Sequence, residues 1–187
     1  MAQVRRRAKS IREIKVKCVK VILNLINRTI LSRWATLGYH HNWDTKQYSE
    51  DSRTEFPVEL AVLSYEVAMR LGWTKFKAEA AIVNYYPTSS TLNPHTDHSE
   101  RNLSAPLVSI SLGLSAVFLI GGSTLAEKPT ALLLKSGDVL VMAKESRMAY
   151  HALPKVLPDT WSGGKDGRVG KYLSQHRINI NVRQVNL

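Results

Sequence analysis

From Ala80 to the end of the chain, short apolar segments alternate with turn residues, and this succession is the feature that most restricts the fold. The segments are four to nine residues long and rich in Val, Ile and Leu, which is typical of strands because most helices are longer. Glycines at Gly113, Gly121, Gly122 and Gly137 mark turns between them. The predicted strands are residues 80–86, 107–112, 116–120, 131–134, 139–142 and 177–185. Many short strands in succession favour an antiparallel sandwich or barrel.

The region before these strands adds one strand and one helix. Residues 34–39 predict a strand that runs into a polar loop at residues 40–44. Residues 58–71 predict a helix, because their apolar side chains recur every third or fourth position, and Gly72 suits its C-terminal end. Residues 154–170, with two prolines and four glycines, predict a loop. The expected fold class is therefore α+β, with a strand-rich core and flanking helices.

Most of the positive charge lies in the first thirty residues. The chain has 26 Lys and Arg against 15 Asp and Glu, a net charge of +11, and residues 1–30 contribute nine basic side chains and one acidic one, or +8. Apolar residues at three- and four-residue steps predict an amphipathic helix there. Such a segment fits a mitochondrial targeting sequence, a basic arm that contacts phosphates, or a solvated helix without special function. We expect two parts, a basic helical leader at residues 1–30 and a folded domain at residues 31–187.

Composition excludes several other classes of protein. A chain of 187 residues with 44% apolar side chains suits one globular domain. No apolar run approaches the ~18 residues that a membrane-spanning helix needs, so we expect no membrane association. Cys18 is the single cysteine, which excludes an intrachain disulfide framework and a zinc site built from cysteines.

One histidine–aspartate pair and a distant histidine have the spacing of metal ligands. His95 and Asp97 are two residues apart, so on a strand or its edge both side chains point the same way. His151 follows a predicted strand and can supply a third ligand from a neighbouring one. Two imidazoles and one carboxylate form the facial triad of non-haem Fe(II) oxygenases. Taken alone, the same pattern also fits surface histidines beside an aspartate in a turn.

The last predicted strand has one polar and one apolar face. Arg177 and Arg183 lie on the polar face, and an arginine on a buried strand face needs an anion, which a dicarboxylate cosubstrate supplies by bidentate pairing. Asn84 and Tyr86 alternate on the strand before the histidine–aspartate pair and could orient the same acid. A solvated strand face is the alternative.

Four stretches together are similar to a known family. They are N-Y-Y at residues 84–86, S-T-L-x-x-H-x-D at residues 90–97, His151 with L-P-x-V-L-P at residues 153–158, and R-x-N-x-x-x-R at residues 177–183. Jointly they resemble the AlkB family of iron and 2-oxoglutarate dioxygenases, over about residues 31–187. The motifs G-Y-H-x-N-W-D and N-V-R-Q-V, at residues 38–44 and 181–185, are nearest to the subgroup of animal AlkB homologue one.

The resemblance implies a double-stranded β-helix, or jelly-roll, core with Fe(II) held by His95, Asp97 and His151. The cosubstrates implied are 2-oxoglutarate and O₂. Arg177 would pair with the far carboxylate of 2-oxoglutarate, and in the family the second arginine, here Arg183, typically supports the metal-site carboxylate. The full cosubstrate signature comprises Asn84, Tyr86, Arg177, Asn179 and Arg183.

The resemblance also implies a substrate. The family oxidises N-methyl groups on nucleic-acid bases with release of formaldehyde, succinate and CO₂, so we expect nucleic acid, tRNA and also DNA, as the partner of a monomer. The residues expected to contact the base are Tyr39, His40, His41, Asn42 and Trp43. An oxygenase of the same fold acting on a protein or small molecule, and an inactive nucleic-acid-binding fragment, are the alternatives.

Two departures from the family pattern concern substrate recognition. Residues 1–30 do not resemble the family, and the long region that usually precedes G-Y-H is missing, so we expect a domain shortened at its N-terminal side. The loop at residues 155–175 is also short. We expect the protein in mitochondria, cytoplasm or nucleus, and the basic leader favours mitochondria.

Overall fold

The computed structural model describes residues 33–187, so the predicted leader helix at residues 1–30 lies outside the described part and stays a prediction. Ten strands, two α-helices and one 3-10 helix are present in residues 33–187. Their bounds are β1 Trp34–Asn42, β2 Gln47–Arg53, α1 Val58–Arg70, β3 Ala80–Pro87, β4 Leu92–His95, β5 Leu107–Gly113, β6 Ala116–Ile120, β7 Thr130–Leu134, β8 Val139–Met142, the 3-10 helix Lys144–Met148, β9 His151–Val156, α2 Gly167–Leu173 and β10 His176–Arg183.

The strands form two antiparallel sheets. The larger sheet has the order β2-β1-β3-β10-β5-β8, and the smaller has the order β4-β9-β6-β7. The last strand, β10, therefore lies at the centre of the larger sheet, between β3 and β5. Its register places Arg177 opposite Tyr86 and Asn179 opposite Asn84, so the polar motifs of two distant stretches of sequence become neighbours.

The two faces of β10 have the predicted division. Ile178, Ile180 and Val182 are fully buried in the main hydrophobic core, which also includes residues from α1 and α2. Burial of each such side chain contributes about 1.5–3 kcal/mol of transfer free energy. The alternating polar side chains, among them Arg177 and Arg183, face a cavity between the sheets. The strand thus supplies core packing on one side and functional groups on the other.

The prediction of a loop at residues 40–44 is wrong for residues 40–42, because β1 continues to Asn42 and pairs with an additional strand, β2. Residues 43 and 44 do lie in the turn between these strands. Gly38 has φ +68 and marks the point at which β1 changes its pairing partner from β3 to β2. A side chain there would collide with the carbonyl oxygen of Glu79. The sequence of β2 is almost entirely polar and exposed, so it shows none of the apolar alternation by which strands are recognised.

Two strands and one helix were also missed. β4 and β9 each contain a proline, which argues against a strand. Pro154 of β9 is tolerated because the pairing with β6 is irregular there. α2 overlaps the end of the loop predicted at residues 154–170 and continues to Leu173. Its glycines argue against a helix, because glycine has a low helix propensity. Among the described residues, no helix has the length and apolar character needed to cross a membrane.

Candidate metal centre and cosubstrate pocket

Three potential metal ligands converge where β4 and β9 pair. His95 ends β4 and His151 begins β9, and the two are register partners in the smaller sheet. Asp97 follows His95 by two residues. One ligand atom from each of the three lies within 4.8 Å of the others, and the Nε2 atom of His151 is 3.7 Å from Oδ2 of Asp97. The ligand atoms of His95 and Asp97, two residues apart in the sequence, and of the distant His151 therefore lie close together.

Both histidines present the same nitrogen to this point. The Nδ1 atom of His95 lies 2.9 Å from the carbonyl oxygen of Asn93, and that of His151 lies 3.1 Å from the carbonyl oxygen of Ala149. A carbonyl oxygen only accepts hydrogen bonds, so Nδ1 carries the proton and donates. The Nε2 lone pairs remain for a metal ion. Two imidazole nitrogens and one carboxylate suit Fe(II), which these residues would hold.

Asp97 is held as an anion before any metal binds. Burial by itself raises the pKa of this carboxyl group and is the largest single effect, but the charge of Arg183, the two neighbouring histidines and the hydrogen bond from Arg183 together outweigh it and lower the pKa to about 2. The Nη2 atom of Arg183 donates to Oδ1 at 2.9 Å, and Asn181 donates to Oδ2 at 3.0 Å. Arg183 also donates to Glu100 at 2.6 Å, and these two carboxylates raise the pKa of Arg183 although its burial opposes this.

We expect the free energy of unfolding of the metal-free protein to fall as the pH drops below about 6.5. Burial lowers the pKa of His151 below its usual value, so protonation of this side chain favours the unfolded chain. The lowered pKa of Asp97 adds about 2 kcal/mol of stability, present above its unfolded pKa near 4 and lost as the pH approaches 2. Urea unfolding at a series of pH values measures this.

The matched control for this series is Asp51→Asn, because Asp51 is an exposed acidic side chain on β2. Its pH profile should follow that of the wild type. A wild-type profile that stayed level from pH 7 down to pH 3 would contradict the expectation.

Arg177 is a buried cation, and part of its hydrogen-bonding capacity is unused within residues 33–187. Only 1% of its surface is exposed, and its Nη2 atom donates to the hydroxyl of Ser111 at 2.9 Å. Its Nε and Nη1 atoms have no hydrogen-bond partner in the part of the chain that the structure describes. Burial lowers the pKa of Arg177, and no acidic residue pairs with it among residues 33–187. A buried guanidinium with free donors fits the carboxylate of a bound ligand.

The other members of the cosubstrate signature divide into two groups. Asn84, Tyr86 and Asn179 line the same cavity as Arg177, and Asn179 donates to the hydroxyl of Ser109. Burial raises the pKa of Tyr86 to about 12, so its phenol stays protonated and can donate. Arg183 also lines the cavity, but its guanidinium is paired with the two carboxylates described above.

Of the five residues predicted to contact a base, two line the cavity and three do not. His41 and Trp43 line the cavity, with ring centroids 4.6 Å apart. Three others are absent from its lining: Tyr39 donates to Glu50, His40 pairs with Thr36, and the side chain of Asn42 accepts from the backbone of the next turn. Continuation of β1 explains His40 and Asn42, because side chains of a strand alternate between its two faces. Tyr39 is separated from His41 by an irregularity in the pairing of β1 with β2.

The cavity has a volume of about 310 Å³. Several of the residues that line it were not predicted from the sequence. Phe118 stacks on the ring of His151, with centroids 5.7 Å apart, and Ser99 lies 3.1 Å from Nε2 of His41. The charged pair Glu100 and Arg147, buried behind the metal site, was missed as well. A single charged residue carries no spacing signal. The other wall residues include Lys46, Leu92, His98, Met142 and Leu153.

Comparison with known proteins agrees with this geometry. A family model described as the 2OG-Fe(II) oxygenase superfamily matches residues 19–183. The chain belongs to this superfamily. The nucleic acid dioxygenase ALKBH1 of Homo sapiens is 43% identical over 178 residues, covering 82% of this chain and 46% of the human protein. The tRNA demethylase abh1 of Schizosaccharomyces pombe is 43% identical over 162 residues, covering 82% of this chain and 52% of that protein.

A third relative is matched over more of its own length. The N6-methyladenosine RNA demethylase ALKBH of Cryphonectria parasitica is 33% identical over 174 residues, covering 81% of this chain and 75% of that protein. The chain spans about half the length of the human and fission yeast relatives. Within the superfamily the chain is therefore an AlkB-family member close to ALKBH1, as its motifs indicated.

The solved structure of OsALKBH1 has a TM-score of 0.63 with this chain at 23% identity, covering 81% of this chain and 77% of that one. This likeness, together with the two antiparallel sheets, confirms the predicted jelly-roll core. Fe(II), 2-oxoglutarate and O₂, the predicted cofactor and cosubstrates, are confirmed as those of the family, and the triad of two histidines and one aspartate fits the metal.

Proposed function

We propose that this chain carries the catalytic domain of an oxidative demethylase that removes N-methyl groups from bases in nucleic acid. The observation that carries the proposal is the placement of Arg177, a buried cation with free donors, in the same cavity as the metal triad. Relatives described as nucleic acid dioxygenase and tRNA demethylase support nucleic acid as the substrate.

His95, Asp97 and His151 would hold Fe(II), and Arg177 would bind the far carboxylate of 2-oxoglutarate. With both bound, the site supplies O₂-dependent hydroxylation of a C–H bond, coupled to conversion of 2-oxoglutarate into succinate and CO₂. Hydroxylation of an N-methyl group leaves an N-hydroxymethyl group, whose C–N bond breaks to give formaldehyde and a base that regains its N–H. The protein contributes the ligands, their orientation and a cavity that holds the base.

Several residues prepare the site for this reaction. Arg183 and Asn181 each occupy one oxygen of Asp97, which fixes the plane of the carboxylate and leaves its remaining lone pairs for the metal. The apolar side chains of Phe118 and Met142 line the cavity and reduce access of water to the reacting groups. The base enters from the side of His41 and Trp43, and it must leave its stack to do so if it is paired.

The test is incubation of the full chain with Fe(II), 2-oxoglutarate and a panel of N-methylated RNA and DNA oligonucleotides. We expect formaldehyde and succinate in equal amounts with methylated oligonucleotides, and only background succinate with unmethylated ones. Succinate that forms without any dependence on nucleic acid would favour an oxygenase acting on another substrate. RNA binding without consumption of 2-oxoglutarate would favour an inactive binder.

Trp43→Ala should weaken binding of the methylated oligonucleotide about 5- to 150-fold, because stacking of one base on an aromatic ring contributes about 1–3 kcal/mol. Trp43 is 41% exposed at the rim of the cavity, with Lys46 5.7 Å from its ring centroid. Fluorescence anisotropy of a labelled oligonucleotide measures the affinity. The affinity for 2-oxoglutarate should not change, because Trp43 is not part of the cosubstrate group.

The matched control is Tyr65→Ala, which removes an exposed aromatic side chain from α1, away from the cavity lining. Equal affinities of wild type and Trp43→Ala would contradict a stacking role for Trp43.

A further inference from the structure

Arg147 is a buried arginine that belongs neither to the metal triad nor to the cosubstrate signature. Only 2% of it is exposed, and its guanidinium donates in three directions. Nε donates to the carbonyl oxygen of Ala105 at 3.0 Å, Nη1 to the carbonyl oxygen of Asp97 at 2.6 Å, and Nη2 to Oε2 of Glu100 at 2.8 Å. One planar fork therefore holds both ends of the segment from Asp97 to Ala105.

The position of Arg147 in the chain connects this segment to the second histidine ligand. Arg147 lies in the 3-10 helix Lys144–Met148, four residues before His151. The C-terminal end of that helix is fixed by a hydrogen bond from the backbone N–H of Ala149 to the carbonyl of Ser146. The carbonyl of Ala149 in turn accepts from Nδ1 of His151. The same short turn thus orients His151 and carries the side chain that holds the backbone at Asp97.

A chain of alternating charges continues from Arg147 to the carboxylate of Asp97. Glu100 accepts from Arg147 at 2.8 Å and from Arg183 at 2.6 Å, and Arg183 donates to Asp97 at 2.9 Å. The side chain of Glu100 is completely buried, and the hydroxyl of Tyr48 also donates to it. Arg147 therefore reaches Asp97 by two routes, directly at its backbone and through Glu100 and Arg183 at its carboxylate.

We propose that Arg147 is a positioning residue that fixes Asp97 relative to His151 and thereby sets the affinity of the triad for its metal ion. The inference rests on the proposed role of the triad as a metal site. The positive charge of Arg147 by itself disfavours binding of a metal cation, so its electrostatic effect on the affinity is opposite to its positioning effect. Two cations and two anions make the buried cluster neutral, so loss of Arg147 makes it more negative, and by charge alone a divalent cation would bind more tightly. Loss of positioning makes the cation bind more weakly.

The experiment compares Mn(II) binding by the wild type, Arg147→Lys and Arg147→Gln, with Mn(II) as a spectroscopic probe that accepts the same nitrogen and oxygen ligands. Electron paramagnetic resonance of the free ion gives the affinity, and the spectrum of the bound ion reports its geometry. We expect both variants to bind about 10- to 100-fold more weakly, as is usual when a residue that orients metal ligands is lost. Lysine keeps the charge but cannot reproduce the three-way fork. The spectrum of bound Mn(II) should also change.

Arg70→Gln is the matched control, because Arg70 forms an exposed ion pair with Glu66 on α1 and does not line the cavity. Its Mn(II) affinity should equal that of the wild type. Affinity equal to or greater than that of the wild type in both Arg147 variants would overturn the inference while the metal site stands. Absence of Mn(II) binding by the wild type itself would instead overturn the proposed function.

A second measurement does not depend on the folding of the variants. Hydrogen exchange of the wild-type chain is followed with and without saturating Mn(II). If Arg147 connects the two ligand-bearing segments, amides of residues 144–149 and 97–105 should gain protection together when the metal binds. Protection confined to residues 97–105 would overturn the inference.

Discussion

Replacement of Asp97 by asparagine is expected to lower turnover of 2-oxoglutarate by more than about 100-fold, the upper end of the usual loss when only a residue that supports a ligand is removed. Asparagine has nearly the same size but carries no charge, so the site loses the anion that balances the metal ion. Succinate production with a methylated oligonucleotide measures the loss, and Mn(II) binding should disappear in the same variant.

Asp159→Asn is the matched control for this substitution. Asp159 is exposed and has φ +58, a conformation that asparagine also adopts readily, so the backbone should not change. Its turnover should equal that of the wild type. Undiminished succinate formation by Asp97→Asn would exclude Asp97 as a metal ligand.

Replacement of Arg177 by methionine is expected to weaken binding of 2-oxoglutarate without lowering the stability of the ligand-free protein. The affinity for 2-oxoglutarate should fall at least about 30-fold, because loss of one partner of a buried, hydrogen-bonded charge pair costs about 2–5 kcal/mol. The free energy of unfolding of the ligand-free protein should not fall, because Arg177 is then a buried cation whose charge has no acidic partner within residues 33–187. Calorimetric titration of 2-oxoglutarate into the Mn(II)-loaded protein and urea unfolding of the ligand-free protein give the two values.

Arg53→Met is the control for Arg177→Met, because it removes an exposed arginine on β2 that does not line the cavity. The cosubstrate affinity should not change, and the unfolding free energy should fall by no more than about 1 kcal/mol, the contribution of an exposed contact between Arg53 and the ring of Tyr39. An Arg177→Met variant that binds 2-oxoglutarate as tightly as the wild type would require a different binding group for its far carboxylate.

The parts of the site that could be predicted are those with a regular spacing. The alternation of Arg177, Ile178, Asn179 and Ile180 is a strand pattern in which one face is core, so it predicted both the strand and the direction of its polar groups. The pair His95 and Asp97 was informative for the same reason. The third predicted ligand, His151, lies in a strand that contains a proline and was not predicted, but the prediction of His151 as a ligand did not depend on that strand.

The parts that could not be predicted depend on contacts between distant residues. Glu100 and Arg147 are 47 positions apart, and no local pattern indicates that a buried carboxylate will accept from a guanidinium so far along the chain. The error in the predicted C-terminal boundary of β1 had a further consequence. A loop at residues 40–44 gave no reason to separate His41, which lines the cavity, from its neighbour His40, which does not.

The two-faced character of β10 restricts how its length can change. Each side chain points to the face opposite that of its neighbour, so loss or gain of one residue within His176–Arg183 would exchange the faces of every residue beyond that point. Arginine and asparagine would then enter the core, and isoleucine and valine would line the cavity. Single substitutions on the polar face alter binding and leave packing in place, whereas an insertion or deletion damages both at once. This central strand is therefore expected to keep a constant number of residues.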